Sequence, residues 1–135
     1  MTNKSKKMLS EISAGELLDK ISILEIKLEK VKDENSQEKI KNEHKILKEI
    51  QNSSIEMSDK IKDLYRSVSN VNIKLWDIED KIRICEQNKD FGKNFIEFAR
   101  GVYFANDKRA KLKNEINKIL KSNIREIKQY INYKI

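Results

Sequence analysis

Two segments of this chain gather the residue types able to bind or transform something. The first reads Asn72-Ile73-Lys74-Leu75-Trp76-Asp77-Ile78-Glu79-Asp80, the second Ala99-Arg100-Gly101-Val102-Tyr103-Phe104-Ala105-Asn106-Asp107-Lys108-Arg109-Ala110. Each sets carboxylates, amides and guanidinium groups beside apolar residues at core spacing. A polar group buried without a partner costs about 1–3 kcal/mol, so groups placed there are paired or purposeful. At helical spacing Asn72, Trp76, Glu79 and Arg83 share one stripe, and Arg100, Tyr103 and Asp107 share another. A helical hairpin turning near residue 89 or 90 aligns Glu79 with Arg100, Trp76 with Tyr103 and Asn72 with Asp107. These are an ion pair, an aromatic pair and an amide–carboxylate hydrogen bond. Between Val102 and Ile116 the apolar row turns polar at Asn106, Arg109 and Lys113. Something acidic is expected opposite, and Glu25, between Leu24 and Ile26, is the candidate.

Two kinds of chemistry suit this set. The favoured one is a satisfied polar network that fixes helix register and orientation. The other is a cleft in which Arg100, Arg109 and Lys113 hold an anionic ligand such as a nucleotide-sugar, with Trp76 and Tyr103 as stacking faces. Catalysis finds less support. The chain has no glycine-rich phosphate loop, and its one histidine, His44, lies on the polar side of a charged stretch without a ligand-spaced companion. Glu16-x-x-Asp19 and Asp77-x-x-Asp80 put carboxylates one turn apart, as in magnesium-dependent all-α nucleotide pyrophosphatases, but the second paired motif of those enzymes does not follow at the right spacing. No catalytic residue, metal ligand or cofactor site is assigned.

The elements that must position these residues are helical. Hydrophobic and charged residues each make up 38% of the 135 residues, with three glycines and no proline. That balance suits long amphipathic helices and starves a β-rich fold of turn residues. The single cysteine, Cys85, excludes an intrachain disulfide and falls in an apolar row, as a small core residue would. No apolar run approaches the roughly 20 residues of a membrane span, and no apolar leader opens the chain, so a cytoplasmic location is expected. The net charge of +7 is concentrated at the ends, above all in residues 90–135. The basic run from Lys108 to Lys128 is suited to phosphate neutralisation. However, no recognition-helix motif accompanies it, and arginine is scarce, which argues against nucleic acid as the partner.

Along the chain, residues 1–12 read as a flexible basic tail and 13–135 as a single helical domain. Ser13 with Glu16 forms a capping box and Ile12 can staple onto Leu17. Leu17, Ile21, Leu24, Leu28 and Val31 follow in a heptad rhythm. A second helix restarts at Asn35 with Glu38. Gln51-Asn52-Ser53-Ser54 is expected to break it, with Ser53 and Glu56 capping a third helix that runs to about Gln87. This longest helix keeps Met57, Ile61, Leu64, Val68, Val71, Leu75, Ile78, Ile82 and Cys85 on one seam. After a turn at 88–92 a fourth helix carries Phe95, Phe98, Val102, Ile116 and Leu120, and Ile124, Ile127 and Ile131 suggest a short C-terminal helix. The expected fold is all-α: an antiparallel bundle built on a long helical hairpin.

The chain resembles a family of small uncharacterised bacterial helical proteins. The likeness runs from Ser13 through Glu29, through Asn72, Leu75–Asp80 and Ile82-Arg83, and through Ala99-Arg100, Val102-Tyr103, Asn106-Asp107, Arg109-Ala110 and Lys113. Members lie near, or fused to, glycosyltransferases of polysaccharide biosynthesis, which implies an accessory role and no catalytic residues to carry over. Gly101 departs from the family pattern, where a larger or hydroxyl side chain is usual. A mid-helix glycine costs about 1 kcal/mol against alanine, so close helix approach is expected there. Together these readings point to a non-enzymatic helical adaptor that binds a protein partner or self-associates, as a homodimer through the long seam. The Arg100–Arg109 region is the preferred contact surface.

Overall fold

In the computed structural model, which describes residues 6–133, helices start where short polar side chains can cap them. Helix α1 spans Ala14–Lys30, and the Ser13 hydroxyl accepts from the Glu16 amide at 3.1 Å. Helix α2 spans Glu34–Ser54 and is capped by Asp33, which accepts from the Ser36 amide at 2.9 Å. Helix α3 spans Asp59–Gln87, capped by Ser58 through the Ile61 amide at 3.3 Å. Helix α4 spans Lys93–Ile119, and Asp90 accepts from the Gly92 amide before it. At the ends of α3 and α4, Lys89 and Lys121 turn into the left-handed region at φ 53°. The backbone then closes back, Asp90 to the Cys85 carbonyl and Ser122 to that of Asn117.

Three boundary expectations need correction. Asp33, one turn ahead of Ser36, outcompetes Asn35 as the α2 cap. The Gln51–Ser54 stretch does not break α2, because Gln51 is buried and Ser58 supplies a better-placed cap for α3 than Ser53. The C-terminal helix does not form in the described residues. Residues 124–133 run instead without helix as a strap along α4, with Ile127 and Ile131 exposed.

The bundle is built around α1. It packs on α2, α3 and α4, whereas α2 packs only on α1 and α3 packs most extensively on α4. That is why α1 buries more than a seam: Leu18, Asp19, Ser22 and Ile26 are interior beside Leu17, Ile21 and Leu24. Leu18 joins Ile61, Leu64, Val68 and Ile116 in the main cluster, and Val71, Leu75 and Ala105 form a second. The α3 seam is thus covered within the chain, with Ile61, Leu64, Val68, Val71, Leu75, Ile78 and Cys85 all buried. In this chain α1 and α4 occupy that seam. Among the described residues no helix is long and apolar enough to cross a membrane.

The α3–α4 hairpin has the expected antiparallel register. Lys81 lies over the Phe98 ring, and a Cβ built on Gly101 would sit 3.1 Å from Ile78 Cδ1. Gly101 is therefore a point of close approach.

Candidate functional site

The polar centre of the molecule is Asp19, a carboxylate buried to 1% side-chain exposure on the inner face of α1. Arg109 of α4 grips it with both arms of its fork, Nε at 2.8 Å from Oδ1 and Nη2 at 2.5 Å from Oδ2. Asn72 of α3 donates to Asp19 Oδ1 and to the Ser22 hydroxyl, both at 2.8 Å, and Ser22 donates to the Asp19 carbonyl. Three helices therefore meet on one carboxylate. One turn away, the buried Lys113 ammonium sits 2.8 Å from Glu16, 3.1 Å from Glu126 and 3.9 Å from Asp19. Glu16 and Asp19 are spaced i, i+3 on α1, and Arg109 and Lys113 i, i+4 on α4, so the charges of the two helices face each other turn for turn.

The electrostatics follow from this geometry. Burial alone would push the Asp19 carboxyl up, but the hydrogen bonds from Arg109 and Asn72 outweigh it and hold its pKa below the usual 3.8. The bond to Asp19 raises Arg109 further. Burial works against the Lys113 charge, yet Glu16 and Glu126 more than compensate and lift it above its usual 10.5. All three groups are charged at neutral pH.

A second interlock lies at the start of α1. The Gly15 amide donates to Asn117 Oδ1 at 2.7 Å and the Ala14 amide to the Ser122 hydroxyl at 2.9 Å. With Ser13 taking the Glu16 amide, the first amides of α1 have partners and the helix end offers nothing to an anion. Gly15 is required for this approach. A Cβ there would fall 2.5 Å from the Lys113 carbonyl oxygen.

The structure brings together Asn72, Arg109 and Lys113 of the expected set, and the side chains of Asn106 and Trp76 line adjoining clefts. It rearranges the rest. Glu79 pairs with Arg83 on its own helix rather than with Arg100, whose guanidinium lies 5.5 Å from the Phe104 ring centre and is otherwise exposed. Tyr103 packs on Phe104 and Tyr133, not on Trp76, and Asp107 accepts from the Tyr133 hydroxyl, not from Asn72. The register was right, but the stripes face different sides of the hairpin, so aligned residues do not meet. Glu25 does not face Arg109. Six residues from Asp19 it has rotated to the other side of α1, where it accepts from Tyr65 and lies 3.2 Å from His44 Nε2. Burial, then that carboxylate, push the Tyr65 phenol well up. His44 is accordingly part of the α1–α2 contact rather than of an open charged face.

The sequence presents Glu16 and Asp19 as carboxylates one turn apart rather than as members of the network, and gives Ser22, Asn117 and Glu126 no place in it. The signal for Asp19 was present: a carboxylate between Leu18 and Ile21 in an otherwise apolar repeat. Arg109 and Asn106 form the ridge between two open clefts. One, of about 410 Å³, lies among the lead-in to α1, α4 and the C-terminal strap; the other, of about 530 Å³, lies between α1 and α3. Among the described residues no group of three or more His, Cys, Asp or Glu side chains is placed to hold a metal ion. No curated protein and no solved structure matches this chain. Residues 8–134 match a family described as one of unknown function, DUF6165, and with the whole helical body inside that match the chain belongs to it.

Proposed function

We propose that this protein is a non-enzymatic helical interaction module that works as a homodimer, joined through the outer face of α4. One observation carries this reading. Arg100, Tyr103 and Phe104 form a compact exposed cluster, with Tyr103 and Phe104 rings 4.8 Å apart, Tyr133 packed edge-on against both, and exposed Ile96 one turn away. Tyrosine, arginine and phenylalanine are the residue types that carry binding energy in protein interfaces. Both aromatic side chains remain more than 40% exposed despite their mutual packing.

Charge placement favours a second copy as the occupant. Arg100 and Asp107 bracket the aromatic pair on one stripe of α4. Two α4 helices packed antiparallel about a two-fold axis at Tyr103–Phe104 set the Arg100 of each copy opposite the Asp107 of the other, as a self-complementary interface demands. The resemblance to proteins found beside glycosyltransferases supports an accessory place in bacterial surface-polysaccharide synthesis, on the cytoplasmic side. The basic last third is a weaker candidate for nucleic acid, since Arg109, Lys113 and Lys128 already lie against carboxylates.

Sedimentation equilibrium tests the dimer. Arg100→Asp and Asp107→Arg should each yield monomers, and the double exchange should restore the dimer. A wild-type chain that stays monomeric at high micromolar concentration, or a double exchange that restores nothing, would overturn the reading.

A further inference from the structure

The two clefts that meet at Asn106 and Arg109 differ in chemistry in a way the dimer reading does not use. The first is ionic: the carboxylates Glu11, Glu16 and Glu126 and the cations Arg109, Lys113, Arg125 and Lys128 line it. The second exposes more apolar surface, from Ile23, Ile26, Leu75 and Trp76, with Asn72, Glu79, Asp80 and Arg83 also lining it. Within the helical body the charges of the first cleft are closed, since Glu16 and Asp19 of α1 answer Lys113 and Arg109 of α4. Glu126 is a third carboxylate brought to the same ammonium by the helix-free strap, where it also lies 3.5 Å from Lys128. The strap thus brings one further anionic group, together with the cations Arg125 and Lys128, to a helical body whose own charges there are already paired.

We propose that the joined clefts bind a small molecule bearing a phosphoryl group and a flat ring. The phosphoryl oxygens take the place of the Glu126 carboxylate among Lys113, Arg125 and Lys128, and the ring lies against Trp76. Lys113 and Lys128 already converge on the Glu126 carboxylate, with Arg125 lining the same cleft, and such a cluster suits a multi-oxygen anion; Arg109 and Asn106 stand where the two parts of the ligand join. Each cleft lies in the 300–1,000 Å³ range typical of small-molecule sites. The strap then acts as a tethered competitor: Glu126 holds the anion position until ligand displaces it.

Trp76 is the only tryptophan in the chain, so its fluorescence reports directly on the second cleft. The probes are pyrophosphate, adenosine and ADP, added to the full chain. ADP should bind saturably and change the Trp76 emission, pyrophosphate should compete with it without that change, and adenosine alone should bind more weakly. Glu126→Gln leaves Lys113 paired with Glu16 and should tighten ADP and pyrophosphate about two- to fivefold, the worth of a partly exposed ion pair. A combined Arg125→Ala and Lys128→Ala variant should weaken both. The proposal is overturned if neither wild type nor Glu126→Gln, each with an intact helical spectrum and melt, binds ADP or pyrophosphate more tightly than about 10 mM. It is equally overturned if ADP binds without touching Trp76, or if Glu126→Gln and the double-alanine variant bind like wild type.

Discussion

Arg109 closes a two-point grip on Asp19 from a helix ninety residues further along the chain, with Asp19 wholly enclosed and the arginine still partly open to solvent. The two members of the pair therefore respond differently to loss of the other. Asp19 without Arg109 is a buried charge, whereas Arg109 without Asp19 can turn toward water. Removing one partner of a buried pair destabilises by about 3–5 kcal/mol. Arg109→Ala should fall in that range and Asp19→Asn below it, at about 2–3 kcal/mol, after discounting for the exposed side of the arginine. Urea unfolding followed by circular dichroism measures both, and equal or sub-kilocalorie losses would contradict the asymmetry.

The same pair sets the acid limit of stability. Asp19 titrates below its usual 3.8 in the folded chain, so its ionised form favours folding. That contribution is complete above the unfolded value and is lost as pH falls through the folded one. Glu126, held down from 4.5 by Lys113 and Lys128 against its own burial, acts in the same direction. The urea midpoint of the wild type should be level from about pH 5 to neutrality and fall below about pH 4. Asp19→Asn should show a shallower acid limb, and an identical limb would remove Asp19 from the account.

The two glycines at helix contacts, Gly15 and Gly101, should give opposite results when changed to alanine. At Gly15 the added methyl meets a backbone carbonyl at 2.5 Å, which cannot yield without parting α1 from α4. A loss of about 2–3 kcal/mol is expected, in the range of overpacked cores. At Gly101 it meets the tip of Ile78 at 3.1 Å, a flexible end able to turn aside. There the better helix propensity of alanine, about 1 kcal/mol, should dominate, and Gly101→Ala should melt at or slightly above wild type. A large loss at Gly101 would show that Ile78 has no alternative rotamer.

These contrasts also show what a sequence of this kind discloses. The four main helices, the α3 seam and the hairpin register follow from periodicity and from the turn at 88–92, because both are local. What periodicity along one helix does not contain is its rotation against a neighbour. Glu79 and Arg100 are level but face apart, and each finds company on its own helix instead. The burial of Asp19 is not a local property either: it comes from α1 being wrapped by three helices, a property of the whole bundle. The strap carrying Glu126 was read as a helix from its isoleucine spacing. Its course is set instead by contacts to Lys113 and Asp107, which no local pattern records.

The helix ends offer a test that touches no partner surface. Lys89 terminates α3 in the left-handed region at φ 53°, where a β-carbon is strained and glycine is not. Its side chain contributes only an exposed contact to Glu86 at 3.3 Å, worth little in water. Lys89→Gly relieves that strain but loosens the unfolded chain, so the net gain should be about 0.5–1 kcal/mol. Chemical denaturation would register it as a higher midpoint with an unchanged slope. A lower midpoint would mean that the Lys89 side chain, and not only its backbone, holds the α3–α4 turn.

Arg100 and Arg109 are the decisive comparison for function, since the sequence set them side by side and the structure separates them. Arg100 lies over the Phe104 ring and is exposed, so Arg100→Ala should change stability by less than about 0.5 kcal/mol, as surface substitutions do. Its effect should appear instead in assembly, as a rise in the monomer fraction under sedimentation. Arg109→Ala should do the reverse, lowering the melting temperature while any folded fraction still self-associates. If Arg100→Ala proved as destabilising as Arg109→Ala, the outer face of α4 would have to be read as part of the polar network, and the dimer would lose its principal contact.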